Sequence, residues 1–163
     1  MHILFRSASK TCLSLTAIFL ASFSLTAQNE QTEILWDNYG VPHIYAKNNN
    51  EMYYAFGWAQ MNNHANLLLQ IYGQARGKAA EYWGNDWLES DKQVLIFDLP
   101  EKAKEAYAKQ TTEYKTYTDA FVKGINDYAK SHPETIAEDK KQVLPVTPAD
   151  VFANILRTMF RFL

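Results

Sequence analysis

Beyond residue 27 the chain carries three histidines, His43, His64 and His132, and two serines, Ser90 and Ser131. A histidine metal site needs ligands brought to one face, as in His-x-x-x-His or a His-Glu pair, and none of the three has such a neighbour. His43 is expected in a turn, His132 in a loop, and His64 inside a helix as a core imidazole hydrogen-bonded to nearby amides. An internal serine nucleophile needs a base held against it, and the sequence offers neither a Gly-x-Ser-x-Gly elbow nor a Ser-His arrangement for that work. Ser90 and Ser131 therefore read as loop and cap residues. Glu89 and Asp91 pair two carboxylates, but their surroundings are polar and supply no apolar wall to raise a pKa, so both are expected in a solvated loop. Tyr82, Trp83 and Trp87 have the flat rings that stack sugars, although packing into a core is the expected use of so much apolar area.

The elements that hold these residues follow from local pattern. Residues 33–36 and 41–46 are β-prone runs separated by Asp37-Asn38-Tyr39-Gly40, which reads as a hairpin with Pro42 at the beginning of its second strand. Asn48-Asn49-Asn50-Glu51 caps a helix expected to run to about Tyr72. Residues 52–75 contain no Asp, Glu, Lys or Arg and have apolar side chains on nearly every side, the mark of a helix buried all round. Gln60, Asn63, Asn66 and Gln70 form one amide stripe on it, able to bond a neighbouring backbone. Residues 73–84 read as a glycine-punctuated connection, and Pro100 begins a helical region in which Tyr114, Tyr117, Phe121, Ile125 and Tyr128 recur at helical spacing. Ser131-His132-Pro133 ends that region and a polar loop follows. Thr147-Pro148-Ala149-Asp150 then places a cap, a proline at the first helical position and an acid at the third, opening a helix through Val151, Ile155, Leu156 and Met159.

The first residues read as an export address: Arg6 and Lys10 precede an uncharged apolar stretch, and cleavage is expected after Ala27. The stretch is shorter than the roughly 20 apolar residues that span a bilayer. Removing residues 1–27 leaves 136, takes away Arg6 and Lys10 but no acid, and moves the net charge from −2 to −4. Lys and Arg are spread thinly, so neither nucleic acid nor a membrane surface is an expected partner. The single cysteine, Cys12, lies in the export segment, so residues 28–163 hold neither a disulfide nor a thiolate metal ligand and depend on burial for stability. They fit one domain by the usual ~100 to 200 residues, yet they can scarcely cover the uncharged helix on every side.

The segment Asp37-Asn38-Tyr39-Gly40-Val41-Pro42-His43-Ile44 is followed by Phe56-Gly57-Trp58-Ala59-Gln60, then by Arg76-Gly77-Lys78 and Glu81-Tyr82-Trp83-Gly84. As a set these resemble the small-chain start of penicillin acylases, a pattern shared with acyl-homoserine-lactone and cephalosporin acylases. Two departures stand out: the family often has Arg before the first Asp, where this chain has Trp36, and an Asp-Arg pair in the helix, where it has Asn63-His64. The resemblance implies an α+β fold, mostly helical with a short N-terminal hairpin, that completes only as part of a four-layered αββα N-terminal-nucleophile hydrolase sandwich. It implies an exported precursor, periplasmic or secreted, in which self-cleavage frees a large chain whose N-terminal serine is the nucleophile and whose α-amino group is the base. The oxyanion donors also belong to that large chain, so residues 28–163 are expected to hold no catalytic residue and to need the large chain as partner. The joint reaction would be hydrolysis of an N-acyl amide, from a β-lactam nucleus or a homoserine lactone. Thr158, Met159 and Phe162 are the positions that the resemblance brings near substrate. No cofactor is expected; the resemblance allows a calcium site of the family, which these residues do not place. The rival expectations are a free-standing exported binding module using the aromatic loop, and a gene fragment without function.

Overall fold

A computed structural model describes residues 31–160; the expected export segment and Phe162 lie outside the described residues. β1 (Glu33–Trp36) and β2 (Pro42–Tyr45) pair antiparallel, Glu33 opposite Tyr45 and Trp36 opposite Pro42. Pro42 sits at the end of the ladder, where its missing N–H breaks no interior bond. Asp37 builds the turn: its Oδ1 accepts the N–H groups of Tyr39 at 2.8 Å and Val41 at 3.0 Å, and Gly40 takes the left-handed conformation, φ 76°, that closes it.

α1 (Asn49–Ala75) starts where the asparagine run places it, with Asn48 Oδ1 accepting from Glu51 N–H at 3.0 Å. It is not buried all round. Met52, Phe56 and Leu67 are exposed, whereas Met61, Leu69, Tyr72 and Ala75 are enclosed. The helix also kinks: His64 has φ −144° and ψ 35°, outside helical space, and its side chain is exposed rather than in the core. Asn62-Asn63-His64 is a run of weak helix formers, and Asn63 is tied sideways to the hairpin, so the ladder breaks there. The amide stripe does bond to backbone, but at the surface: Asn63 Nδ2 donates to Gly40 O at 3.2 Å, and Asn66 Oδ1 accepts from Ala137 N–H at 2.8 Å.

The core lies where α1 crosses α5 (Thr112–Ser131), with Met61, Leu69, Phe121 and Ile125 between them. Two glycines set the crossing distance. A Cβ on Gly57 would meet Phe121 O at 2.1 Å, and one on Gly124 would meet Tyr54 O at 2.0 Å, so the two backbones touch. The expected single helical region after Pro100 is two helices, α4 (Leu99–Ala108) and α5, because Thr111 is extended and caps α5 by accepting from Tyr114 N–H. The connection after Gly73 contains α2 (Ala79–Trp83), and the stretch expected as a solvated loop is α3 (Leu88–Ile96). A short α6 (Glu138–Lys141) interrupts the later polar loop, and α7 (Pro148–Phe160) begins at the expected proline. Among the described residues no helix is long and apolar enough to cross a membrane.

Candidate functional site

α7 is the element expected to meet substrate, and two side chains from the end of α1 hold it. At its start Asp150 Oδ2 accepts from Thr147 N–H at 2.7 Å and from Thr147 Oγ1 at 2.8 Å, closing the turn that the Thr-Pro-Ala-Asp sequence encodes. The same carboxylate takes a two-pronged ion pair from Arg76, Nε to Oδ1 and Nη2 to Oδ2, both at 2.7 Å. Arg76 Nη2 also donates to Pro145 O at 2.9 Å, which ties in the loop before α7. Asp150 is only 5% exposed, so its charge depends on this partner. Burial pulls the Arg76 guanidinium pKa down, but the bonds to Asp150 reverse that and leave it above its ordinary value.

Two turns further along α7, Arg157 donates to the Oε1 of Gln74, itself buried. Residues 150 and 157 share one face of α7, and 74 and 76 close α1, so the two contacts fix both the rotation and the position of α7 along its axis. Thr158 and Met159 fall outside the clamped face. Both are exposed, with Thr158 Oγ1 bonded back to Asn154 O at 2.8 Å.

The other chemically able residues are placed as follows. Asp91 is buried, not solvated: its two oxygens accept the N–H groups of Ala79 at 2.9 Å and Ala80 at 2.7 Å and so cap α2 from a distance. Glu89 is exposed and paired with Lys92. Ser90 lies in α3, its hydroxyl buried without a partner among the described residues. Ser131 and His132, expected to have no working contact, do meet: Ser131 Oγ is 2.9 Å from His132 Nδ1. That hydroxyl also bonds the carbonyls of Asp127 and Tyr128, ending α5, and among the described residues no acid orients the ring, which stacks on Tyr128 at 4.5 Å. The pair is a helix terminus rather than a nucleophile with its base. His43 lies 3.4 Å from Asp37 Oδ2 in the hairpin turn. The two bonds from backbone N–H groups and the histidine hold the Asp37 pKa below the ordinary carboxylate value.

In the aromatic loop Trp83 presses its ring against Gly73, donates Nε1–H to Asp139 O at 2.8 Å and carries Lys140 over its face at 4.1 Å. Its ring packs against the fold. Among the described residues no group of three or more His, Cys, Asp or Glu side chains converges to hold a metal ion.

Sequence reading missed the clamp, although both partners stood in singled-out motifs, Arg76-Gly77-Lys78 and Pro148-Ala149-Asp150. The available signal was a charge at the end of a helix otherwise free of charge. It also missed that the two departures from the acylase pattern meet: Trp36 Nε1 donates to Asn63 Oδ1 at 3.2 Å. A neutral bond joins the hairpin to α1 where the pattern often has charged residues.

The described residues form a helical layer on an N-terminal hairpin, with the last helix clamped to the first by Arg76–Asp150 and Arg157–Gln74. The fold is shared with a solved thermostable penicillin G acylase from Alcaligenes faecalis, which superposes with a TM-score of 0.69 at 22% identity, over 83% of this chain and 75% of that one. The family model described as penicillin amidase matches residues 31–162, and the chain belongs to that family. Penicillin G acylase of Escherichia coli is 26% identical over 140 residues, which is 82% of this chain and 16% of that protein. An acyl-homoserine lactone acylase of Pseudomonas fluorescens is 22% identical over 100 residues, 61% of this chain and 12% of the other. The chain thus spans about a sixth or less of the length of these relatives.

Proposed function

We propose that this chain is the small-chain part of an exported amidohydrolase that cleaves the amide of N-acyl compounds, β-lactams or acyl-homoserine lactones, and that it is not catalytic alone. Its role in the assembled enzyme is to present Thr158 and Met159 of α7, and Phe162 beyond it in sequence, toward the acyl group, while a large chain brings the nucleophilic serine and the oxyanion donors. The observation that carries this reading is the apolar surface left uncovered: Leu67 is 59% exposed on an uncharged stretch of α1, and Met159 is 61% exposed on α7. Patches of large apolar side chains mark surfaces that meet another protein. The match to the Alcaligenes faecalis structure supports the same reading, since it takes in 75% of one chain there although the Escherichia coli protein is covered over only 16%. The export segment and cleavage after Ala27 belong to the proposal, as does a periplasmic or secreted location.

The reading is tested by sedimentation and by binding of an apolar dye to residues 28–163. Self-association, or strong dye binding that ends when a large chain is supplied, is expected. A stable monomer with no dye binding contradicts it.

A further inference from the structure

We propose that the slot between the hairpin and the first half of α1 binds an ammonium ion carried on an apolar body, an alkylamine or arylalkylamine about 10 Å long. Two periodicities build the slot. Side chains alternate along a strand, so Thr32, Ile34 and Trp36 face one way, and Glu51, Tyr54 and Trp58 fall at i, i+3 and i+7 on one face of α1. The two faces stand apart around a space of about 490 Å³, within the size range of small-molecule sites.

The ends of the slot differ in chemistry. At one end lies the half-buried Glu51 carboxylate, which accepts from Thr32 Oγ1 and, at 3.4 Å, from Asn48 Nδ2. Among the described residues no Lys, Arg or His is paired with it. The nearby Lys123 lies 5.0 Å from the Tyr54 ring centroid and is already paired with Asp127. At the other end the rings of Trp36 and Trp58 form a corner, 6.0 Å apart at 61°. The bond from Trp36 Nε1 to Asn63 holds its ring in that wall. Seven residues of helix separate Glu51 from Trp58, about 10 Å at 1.5 Å per residue.

This pairing selects its ligand. A neutral apolar molecule would leave the half-buried carboxylate with only its neutral donors, Thr32 and Asn48, and an anion would be repelled by it. A cation on an apolar stem satisfies the carboxylate with a charge-assisted bond and fills the tryptophan corner, where ring faces also favour positive charge. The site depends on Trp36: an arginine at that position, which the acylase pattern often carries, would put a like charge in the corner. The proposal stands apart from the amidohydrolase reading, since it requires no large chain.

The test uses the full chain with nitrogen-labelled tryptophan, titrated with n-octylammonium below its aggregation concentration and, separately, with 1-octanol. The indole N–H signals of Trp36 and Trp58 shift saturably with the amine, and those of Trp83 and Trp87 stay in place, which also reports that the fold is intact. Glu51→Gln keeps an acceptor oxygen for the Thr32 hydroxyl but removes the charge, and it weakens octylammonium by roughly tenfold or more, the scale of one charge-assisted hydrogen bond. It leaves octanol unchanged. Trp36→Arg, at an exposed position, abolishes amine binding. The proposal is overturned by the absence of a saturable shift, by equal amine affinity in Glu51→Gln, or by octanol binding as tightly as the amine.

Discussion

Replacing Gly124 with alanine would normally stabilise a helix by about 1 kcal/mol, because glycine is the weaker helix former. Here the added methyl would stand 2.0 Å from Tyr54 O and 2.9 Å from Trp58 N, both backbone atoms of α1 that cannot rotate aside. Relief requires α1 and α5 to separate by more than an ångström, which loosens Met61, Leu69, Phe121 and Ile125 together. Overpacking of this kind costs roughly 1–3 kcal/mol and more where backbone is hit, so after the helix gain a net loss of about 2 kcal/mol is expected. Hydrogen exchange reads this locally. At 1.4 kcal/mol per factor of ten, amides protected by α1 and α5 exchange about thirtyfold faster, while those of α4 change little. Gly57→Ala, whose methyl would meet Phe121 O at 2.1 Å at the same crossing, behaves alike. The double variant loses less than the sum, since one displacement relieves both clashes. Unchanged or slower exchange in Gly124→Ala would refute the argument that backbone contact sets this crossing.

Three further outcomes follow from the same packing. Arg76→Met leaves the buried Asp150 carboxylate without its cation and is expected to destabilise by about 3–5 kcal/mol, read as early melting of α7 in hydrogen exchange; Arg76→Lys recovers only part, lacking the two-pronged geometry. Asp91→Ala strips the N–H groups of Ala79 and Ala80 of their acceptor and should cost about 1–2 kcal/mol in thermal stability, whereas Glu89→Ala, at an exposed site, should be near neutral. Burial, and then the charge of Asp150, raise the Tyr72 pKa well above the ordinary tyrosine value. The folded state holds this phenol protonated, so its contribution is complete below about pH 10 and is lost as pH rises further. Tyr72→Phe should therefore reduce the loss of helical ellipticity between roughly pH 10 and 12.

What was legible in the sequence was local. The asparagine run before α1, the Asp-x-x-Gly turn and the Thr-Pro-Ala-Asp start of α7 are each decided within four residues, by a side chain bonding a nearby backbone group, and each stands where it was expected. What was illegible was decided by distant partners. Asp91 reads as solvated beside Glu89 because nothing nearby explains its burial; its reason, the bare N–H groups that begin α2, lies 11 and 12 residues away. His64 follows helical spacing on paper, yet the neighbouring Asn63 is drawn sideways to Gly40 and Trp36, and the kink turns the imidazole out. The uncharged face of α1 was legible as needing cover, and it is the face this chain only partly covers, with Phe56 and Leu67 left exposed. For α7, the sequence pattern marked where the helix begins, but its alignment follows from Arg76 and Gln74, which lie more than seventy residues earlier.

The most direct measurement is amide hydrolysis by purified residues 28–163 alone, assayed on penicillin G and on acyl-homoserine lactones. The account predicts no turnover above buffer, because the nucleophile and oxyanion donors belong to the proposed large chain. Turnover that survives purification and tracks with this chain through every step would contradict it.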